Sequence, residues 1–119
     1  MDSRQLGIYG ELVSARYLRR HGYKILATNF YSRFGEIDII AQQGDTLVFV
    51  EVKSRDATCI ARPMEAVTPA KQDKIKKTAL FYLSTLSKEM NVRYDVIEVR
   101  AVTKGIKKVK LHHIPNAFC

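Results

Sequence analysis

What most constrains this chain is a pair of apolar stretches on either side of Gly44-Asp45. Gly35-Glu36-Ile37-Asp38-Ile39-Ile40 precedes the pair, and Leu47-Val48-Phe49-Val50-Glu51-Val52-Lys53 follows it. β-Branched and aromatic residues fill both flanks, and a Gly-Asp step between two such runs is a tight-turn signal. The segment therefore predicts two strands joined as a hairpin. Side chains alternate faces along a strand. Glu36 and Asp38 are thus expected on one face with Ile37 and Ile39 on the other, and Glu51 with Lys53 opposite Val50 and Val52. Runs this apolar belong inside a sheet covered on both faces. Charged side chains on them are costly unless something pairs or uses them.

A divalent-metal site is one such use. If the two strands pair, Asp38 and Glu51 come together, and two carboxylates plus a main-chain carbonyl and waters suit Mg²⁺. Lys53 would point to the same place. There it either orients or deprotonates a metal-bound water, or neutralises charge on a phosphate. Glu36, sharing a face with Asp38, is an additional candidate. The plain alternative is a sheet edge with Glu51 and Lys53 solvated and mildly paired. An aspartate on the preceding strand argues against it.

Size and charge narrow the class. A chain of 119 residues, 46% hydrophobic, is expected to form one domain over residues 1–119 with a sizeable core. No apolar run approaches the ~20 residues of a membrane span. Met1-Asp2-Ser3-Arg4 opens on a polar helix start without a signal peptide, so the expected location is cytoplasmic. Cys59 and Cys119 lack metal-ligand spacing and read as free thiols in a reducing compartment. A net charge of +8 suggests a polyanionic partner, most simply nucleic acid, against the alternative of a soluble protein that is merely basic.

Around the hairpin the chain reads in order. A helix is expected from Gln5 to His21, with Gly22 just past its end and Ile8, Leu12, Ala15 and Leu18 as its apolar stripe. Glu11 falls on that stripe and needs a partner: an arginine or backbone amide, or the metal site and its waters. Tyr23 to Tyr31 reads as a strand with Ile25 and Phe30 in the core. Ser32-Arg33-Phe34-Gly35 is a turn, where Arg33 either meets a phosphate or is simply solvated. Ser54 to Thr68 is a long irregular segment holding Arg55 and Arg62, placed to cover the site and, through Arg55, to touch nucleic acid. Thr68 caps a second helix with Pro69 at its first position and Ile75, Ala79, Tyr82, Leu83 and Leu86 inward. Lys71 sits at that helix's N-terminus, where a cation is mildly unfavourable unless an anion docks there. Val92 to Val102 is a strand whose alternation breaks, which suggests a bulge near Val96-Ile97 or cover on both faces. Arg93 and Asp95 are a structural pair. Thr103-Lys104-Gly105 turns into a last strand, Lys107 to Ile114, ended by Pro115. His112 and His113 read as incidental. Short turns make the first three strands an antiparallel meander, and the helical crossover brings the fourth strand parallel to its neighbour.

Asp38 followed by Glu51-Val52-Lys53 across a hairpin resembles the PD-(D/E)xK nuclease superfamily, with Ile37 in the place of the proline. Gly35-Glu36-Ile37-Asp38-Ile39-Ile40 together with Phe49-Val50-Glu51-Val52-Lys53-Ser54-Arg55 is more closely similar to the YraN-like family. These are small bacterial predicted endonucleases related to archaeal Holliday-junction resolvases. The likeness runs from Gly10-Glu11 to the last strand. It implies a restriction-endonuclease-like α/β fold, a mixed central sheet flanked by helices in the order helix, three strands, helix, two strands. It implies a Mg²⁺- or Mn²⁺-dependent endonuclease acting on DNA, branched or Holliday-junction DNA included. Glu11 then serves the metal site, and Lys71 and Gln72 contact the substrate. A homodimer would suit a junction resolvase. A non-catalytic nucleic-acid-binding or scaffold protein that kept the nuclease fold is the alternative.

Overall fold

Tight turns organise the first half of the chain. Arg33-Phe34 joins β1 (Lys24–Ser32) to β2 (Gly35–Gln43), and Gly44-Asp45 joins β2 to β3 (Thr46–Arg55), with Ser32 opposite Gly35 and Gln43 opposite Thr46. Gly44 has φ 59°, the left-handed conformation that glycine adopts without strain. The computed structural model describes residues 2–58, 67–102 and 108–119. Its other elements are α1 (Ser3–Arg20), α2 (Pro69–Leu83), β4 (Asn91–Ala101) and β5 (Val109–Phe118). The strand order is β1-β2-β3-β4-β5. The first three strands form the expected antiparallel meander, β4 lies parallel to β3, and β5 returns antiparallel. A mixed five-stranded sheet with two helices is an α/β architecture compatible with the restriction-endonuclease-like fold.

Each face of the sheet carries a core. Ala15 and Leu18 of α1 pack with Ile39, Ala41, Val48, Val50, Val52, Ile97 and Val99. Ile75 and Ala79 of α2 pack with Ile37, Ile40, Leu47, Phe49 and Val96 on the other side. β3, in the middle of the sheet, is buried from Leu47 to Val52, as the apolar run Leu47–Val50 and Val52 require, with Glu51 the one charged side chain carried in among them.

Several expectations are corrected. α1 begins at Ser3, because Asp2 closes a capping box: Gln5 N–H donates to Asp2 Oδ1 at 2.8 Å, and Asp2 N–H donates to Gln5 Oε1 at 3.0 Å. Ile8 and Leu12 are 54% and 62% exposed. The buried face is Leu6, Gly10, Ser14, Ala15 and Leu18 instead. A methyl at Gly10 would run into Ser54 Oγ, so the helix sits close over β3 on its smallest residues and turns Ile8 and Leu12 outward. Ile37 and Ile39 do not share a face: Ile37 joins the α2-side core with Ile40, and Ile39 the α1-side core. The alternation slips at Asp38, between the Thr28–Ile39 and Phe30–Ile37 pairs, where Asn29 of β1 has a φ of 50°.

At the far edge, the β4–β5 register shifts between Tyr94 and Val96, next to the expected bulge, while Asp95 to Val99 are buried on both faces. β5 does not end at Pro115 but continues to Phe118. An edge strand tolerates a residue without an N–H, and Asn116, φ 51°, lies in the same irregularity. His113 is not incidental. Its Nε2 lies 2.7 Å from Asp95 Oδ2 and its Nδ1 lies 3.0 Å from Tyr17 Oη. Arg93 grips the same carboxylate through two nitrogens at 2.8 Å, and Asn116 N–H donates to it at 2.9 Å. Burial pushes the Asp95 carboxyl up, but His113, Arg93 and Asn116 together hold it below its ordinary value. The pairing of Arg93 with Asp95 is as expected. β3 extends through Arg55, past the expected start of the irregular segment. Residues 59–66 of that segment, with Cys59 and Arg62, lie outside the described residues, as do Lys107 and the turn at Thr103-Lys104-Gly105. Among the described residues, no helix is long and apolar enough to cross a membrane.

Candidate active site

The site begins where two strands part. The β2–β3 ladder runs from Gln43 and Thr46 to Ile39 and Val50 and goes no further. Extending that register by one step sets Asp38 against Glu51. In place of a ladder bond, Val52 N–H donates to Asp38 Oδ2 at 2.8 Å. The carboxylate thus fills the gap that opens as β2 leaves β3.

Charge is concentrated there. The Asp38 carboxyl is pushed up to about 8: burial contributes most, then the neighbouring Glu51, with Glu11 and Glu36 adding to it and the Val52 N–H opposing. Glu51 is only 5% exposed. Its Oε1 faces Lys53 Nζ at 3.4 Å and Lys71 Nζ at 3.7 Å. Lys71 reaches it from the first turn of α2, where Thr68 Oγ1 accepts its N–H at 3.2 Å and Pro69 occupies the first helical position. Glu11 approaches from α1, half-buried. Burial raises its carboxyl, Glu36 and Glu51 raise it further, and a hydrogen bond with the Asn29 side chain acts in the other direction. Tyr31 stands opposite Glu36 on the neighbouring strand, and the Glu36 charge pushes its hydroxyl up.

Four elements therefore bring Glu11, Glu36, Asp38, Glu51, Lys53 and Lys71 into one electrostatic cluster. The other sequence candidates make contacts of their own. The Gln72 side-chain amide donates to Val67 O at 3.0 Å and ties the approach segment to α2. Arg33 lies at the tip of the β1–β2 turn, its guanidinium 4.9 Å from the Phe34 ring centroid. Arg55 ends β3, and its buried Nε has no hydrogen-bond partner among the described residues. Sequence reasoning missed Asn29 and Tyr31. The signal for Asn29 was its residue type, since asparagine is enriched among non-glycine residues at positive φ, where a strand breaks.

Among the described residues, no group of three or more His, Cys, Asp or Glu side chains is disposed to hold a metal by protein ligands alone. The donor chemistry is nonetheless hard oxygen, with two carboxylates crowded and desolvated at one point. That is the set to which Mg²⁺ binds while keeping several of its waters.

The sequence matches the family described as "Uncharacterised protein family UPF0102" over residues 10–99, well over half its length. The chain belongs to the UPF0102 family. A UPF0102 protein of Syntrophomonas wolfei is 44% identical over 117 residues, covering 98% of this chain and 99% of that protein. One of Thermodesulfovibrio yellowstonii is 46% identical over 114 residues, covering 96% of each. One of Syntrophus aciditrophicus is 49% identical over 113 residues, covering 94% of this chain and 87% of its own. All of the candidate residues, from Glu11 to Gln72, fall inside the span that matches UPF0102, whereas β5 with His113 lies beyond it.

Proposed function

We propose that this UPF0102 chain is a metal-dependent endonuclease of the PD-(D/E)xK type that hydrolyses DNA phosphodiester bonds, with branched, junction-like DNA the substrate class to which its sequence likeness points. The observation that carries the reading is that Asp38 and Glu51 stand one step beyond the last paired residues of β2 and β3, where the Glu51 charge raises the Asp38 carboxyl and two lysines lie against Glu51.

Asp38 and Glu51 are the residues that would hold Mg²⁺ or Mn²⁺. When bound, the ion supplies charge stabilisation at the phosphoryl oxygens and a water of lowered pKa. The protein's own groups do the rest. Lys53, on the same face as Glu51, orients the attacking water and offsets charge growing on the phosphate. Lys71, at the positive end of α2, holds a phosphate oxygen. Glu11 and Glu36 add negative charge, which favours a cation at this point and keeps bound water oriented. A non-catalytic DNA-binding protein on the same fold is favoured by one feature: Lys53 and Lys71 already offset the Glu51 charge from within the protein.

A cleavage screen decides between them. Linear, flapped and four-way DNA are incubated with Mg²⁺ and with Mn²⁺, alongside thermal melts. The expected result is cleavage and a metal-dependent rise in Tm, both lost in Asp38→Asn, which should melt no lower than the parent without metal. The catalytic reading is falsified if no DNA is cut with either ion and no melting shift appears. A shift without cleavage assigns the non-catalytic role.

A further inference from the structure

The tip of the β1–β2 turn and the outer side of α2 share an unusual surface. Phe34 is 36% exposed, Phe81 50% and Leu80 65%, all among lysines. Arg33 lies over the Phe34 ring at 4.9 Å, and Lys77 Nζ stands 6.0 Å from the same centroid. Lys77 and Phe81 are one turn apart on α2, so the helix carries the surface from the turn on to Phe81. Phe81 in turn leans on Phe30, centroids 6.1 Å apart.

The turn is held, not loose. Phe34 N–H donates to Ser32 Oγ at 3.0 Å, and that hydroxyl lies 2.8 Å from Oγ1 of the fully buried Thr78 on α2. A methyl on Gly35 would meet Lys74 Cβ at 3.5 Å, so the turn rests directly on the helix. Along α2, Lys71, Lys74, Lys77 and Phe81 succeed one another at helical spacing. The row starts against Glu51 and extends about 15 Å along the helix axis. One carboxylate, Asp73, lies within the row and pairs with Lys77 at 3.0 Å.

Cations alone would serve a duplex, which shows such a surface its phosphates. Exposed rings between cations suit a different ligand. Unpaired bases expose π-faces to aromatic side chains while lysine and arginine follow the backbone, and such stacking is indifferent to sequence. We propose that Phe34 and Phe81, with Arg33, Lys74 and Lys77, form a stacking track for an unpaired DNA strand leading to the carboxylate site. The proposal rests on the nuclease reading for its direction. It makes DNA with a single-stranded segment at the cut, rather than continuous duplex, the preferred substrate.

The test is fluorescence anisotropy in EDTA with two labelled probes, a twenty-residue oligothymidylate and a blunt duplex of mixed sequence. Phe34→Ala and Phe81→Ala should each weaken oligothymidylate binding roughly 5- to 100-fold and change duplex binding less than twofold. Phe34→Tyr should retain the affinity, and Lys71→Ala should weaken both probes alike. Melts of each variant show that the fold is kept. Loss on neither probe, or equal loss on both, overturns the proposal. Loss of self-association in sedimentation, with oligothymidylate affinity unchanged, also overturns it and gives the patch to a protein contact. Because no metal is present, the outcomes separate from those of the nuclease reading. Ring-dependent binding without cleavage defeats only the latter, and cleavage with ring-independent binding defeats only the track.

Discussion

Asp38 sits at the one point of β2 where pairing lapses on both sides, and this makes a carboxyl tolerable there and also perturbs it. Its pKa of about 8 stands above the ordinary 3.8, so between those limits the folded protein keeps a proton that the unfolded chain has released. Stability without divalent metal should therefore fall as pH rises through that window and level off above about 8. Glu11, also raised, adds to the same slope. Asp95, held low, changes stability only in more acidic solution, where its protonation destabilises the fold. Urea unfolding in EDTA from pH 5 to 9 checks this: the parent should lose stability with pH, and Asp38→Asn should give a flatter profile. Since proton and cation compete for the same carboxyl, the Tm gained from Mg²⁺ should grow as pH approaches 8.

At the scale of elements, the placement of α1 decides whether Glu11 reaches the site at all. The helix approaches β3 where Gly10 meets Ser54, and Ser14, fully buried one turn on, continues the narrow face. Gly10→Ala would gain helix propensity, but its methyl displaces the Ser54 hydroxyl into another rotamer and then lies 3.4 Å from Ser54 Cβ and 3.6 Å from Val99 Cβ, a forced repacking that costs about 1 kcal/mol or more. The expected outcome is lower stability to denaturant despite a better helix former. Because Glu11 is the next residue, a weaker response of Tm to Mg²⁺ should accompany it. Gly7, with nothing within 4 Å of an added Cβ, is the control. Gly7→Ala should stabilise by roughly 0.5–1 kcal/mol. Equal effects at both glycines would refute the close-approach account.

Over the whole molecule the balance of charge is uneven in use. The acids Glu11, Glu36, Asp38 and Glu51 are drawn to one end of the β2–β3 gap, while the lysines of α2 run from Lys71, against Glu51, along the helix to Lys77. With a formal charge of +8, DNA affinity should fall steeply and log-linearly with salt through counterion release. Anisotropy titrations between 50 and 200 mM NaCl read the slope. A slope near zero, or no binding at low salt, would remove both the nuclease and the scaffold readings together. Each lysine of the track replaced by alanine should reduce the slope by about one.

Local sequence was enough for much of this. Gly44-Asp45 between β-branched runs specifies its hairpin because few residues take the left-handed turn, and Thr68-Pro69 specifies the start of α2 because cap and fixed φ act within one turn. The apolar run Leu47–Val50, resumed at Val52, determined that β3 is covered on both faces, and strand alternation placed Lys53 beside Glu51. Other features depend on contacts between distant segments. That Ile8 and Leu12 face outward follows from Gly10 meeting Ser54 more than forty positions later, which periodicity within one helix cannot report. That Ile37 and Ile39 part company goes with the positive φ of Asn29 on the neighbouring strand and with the end of the β2–β3 ladder at Ile39. His113 acquires its role only because β5 lies against β4 and passes Asp95 and Tyr17. Lys71 was recognised as a cation in an unfavourable place. Its approach to Glu51 was settled by the packing of α2 on the sheet, because propensity and capping act over a few residues, whereas the distance between two side chains depends on every element between them.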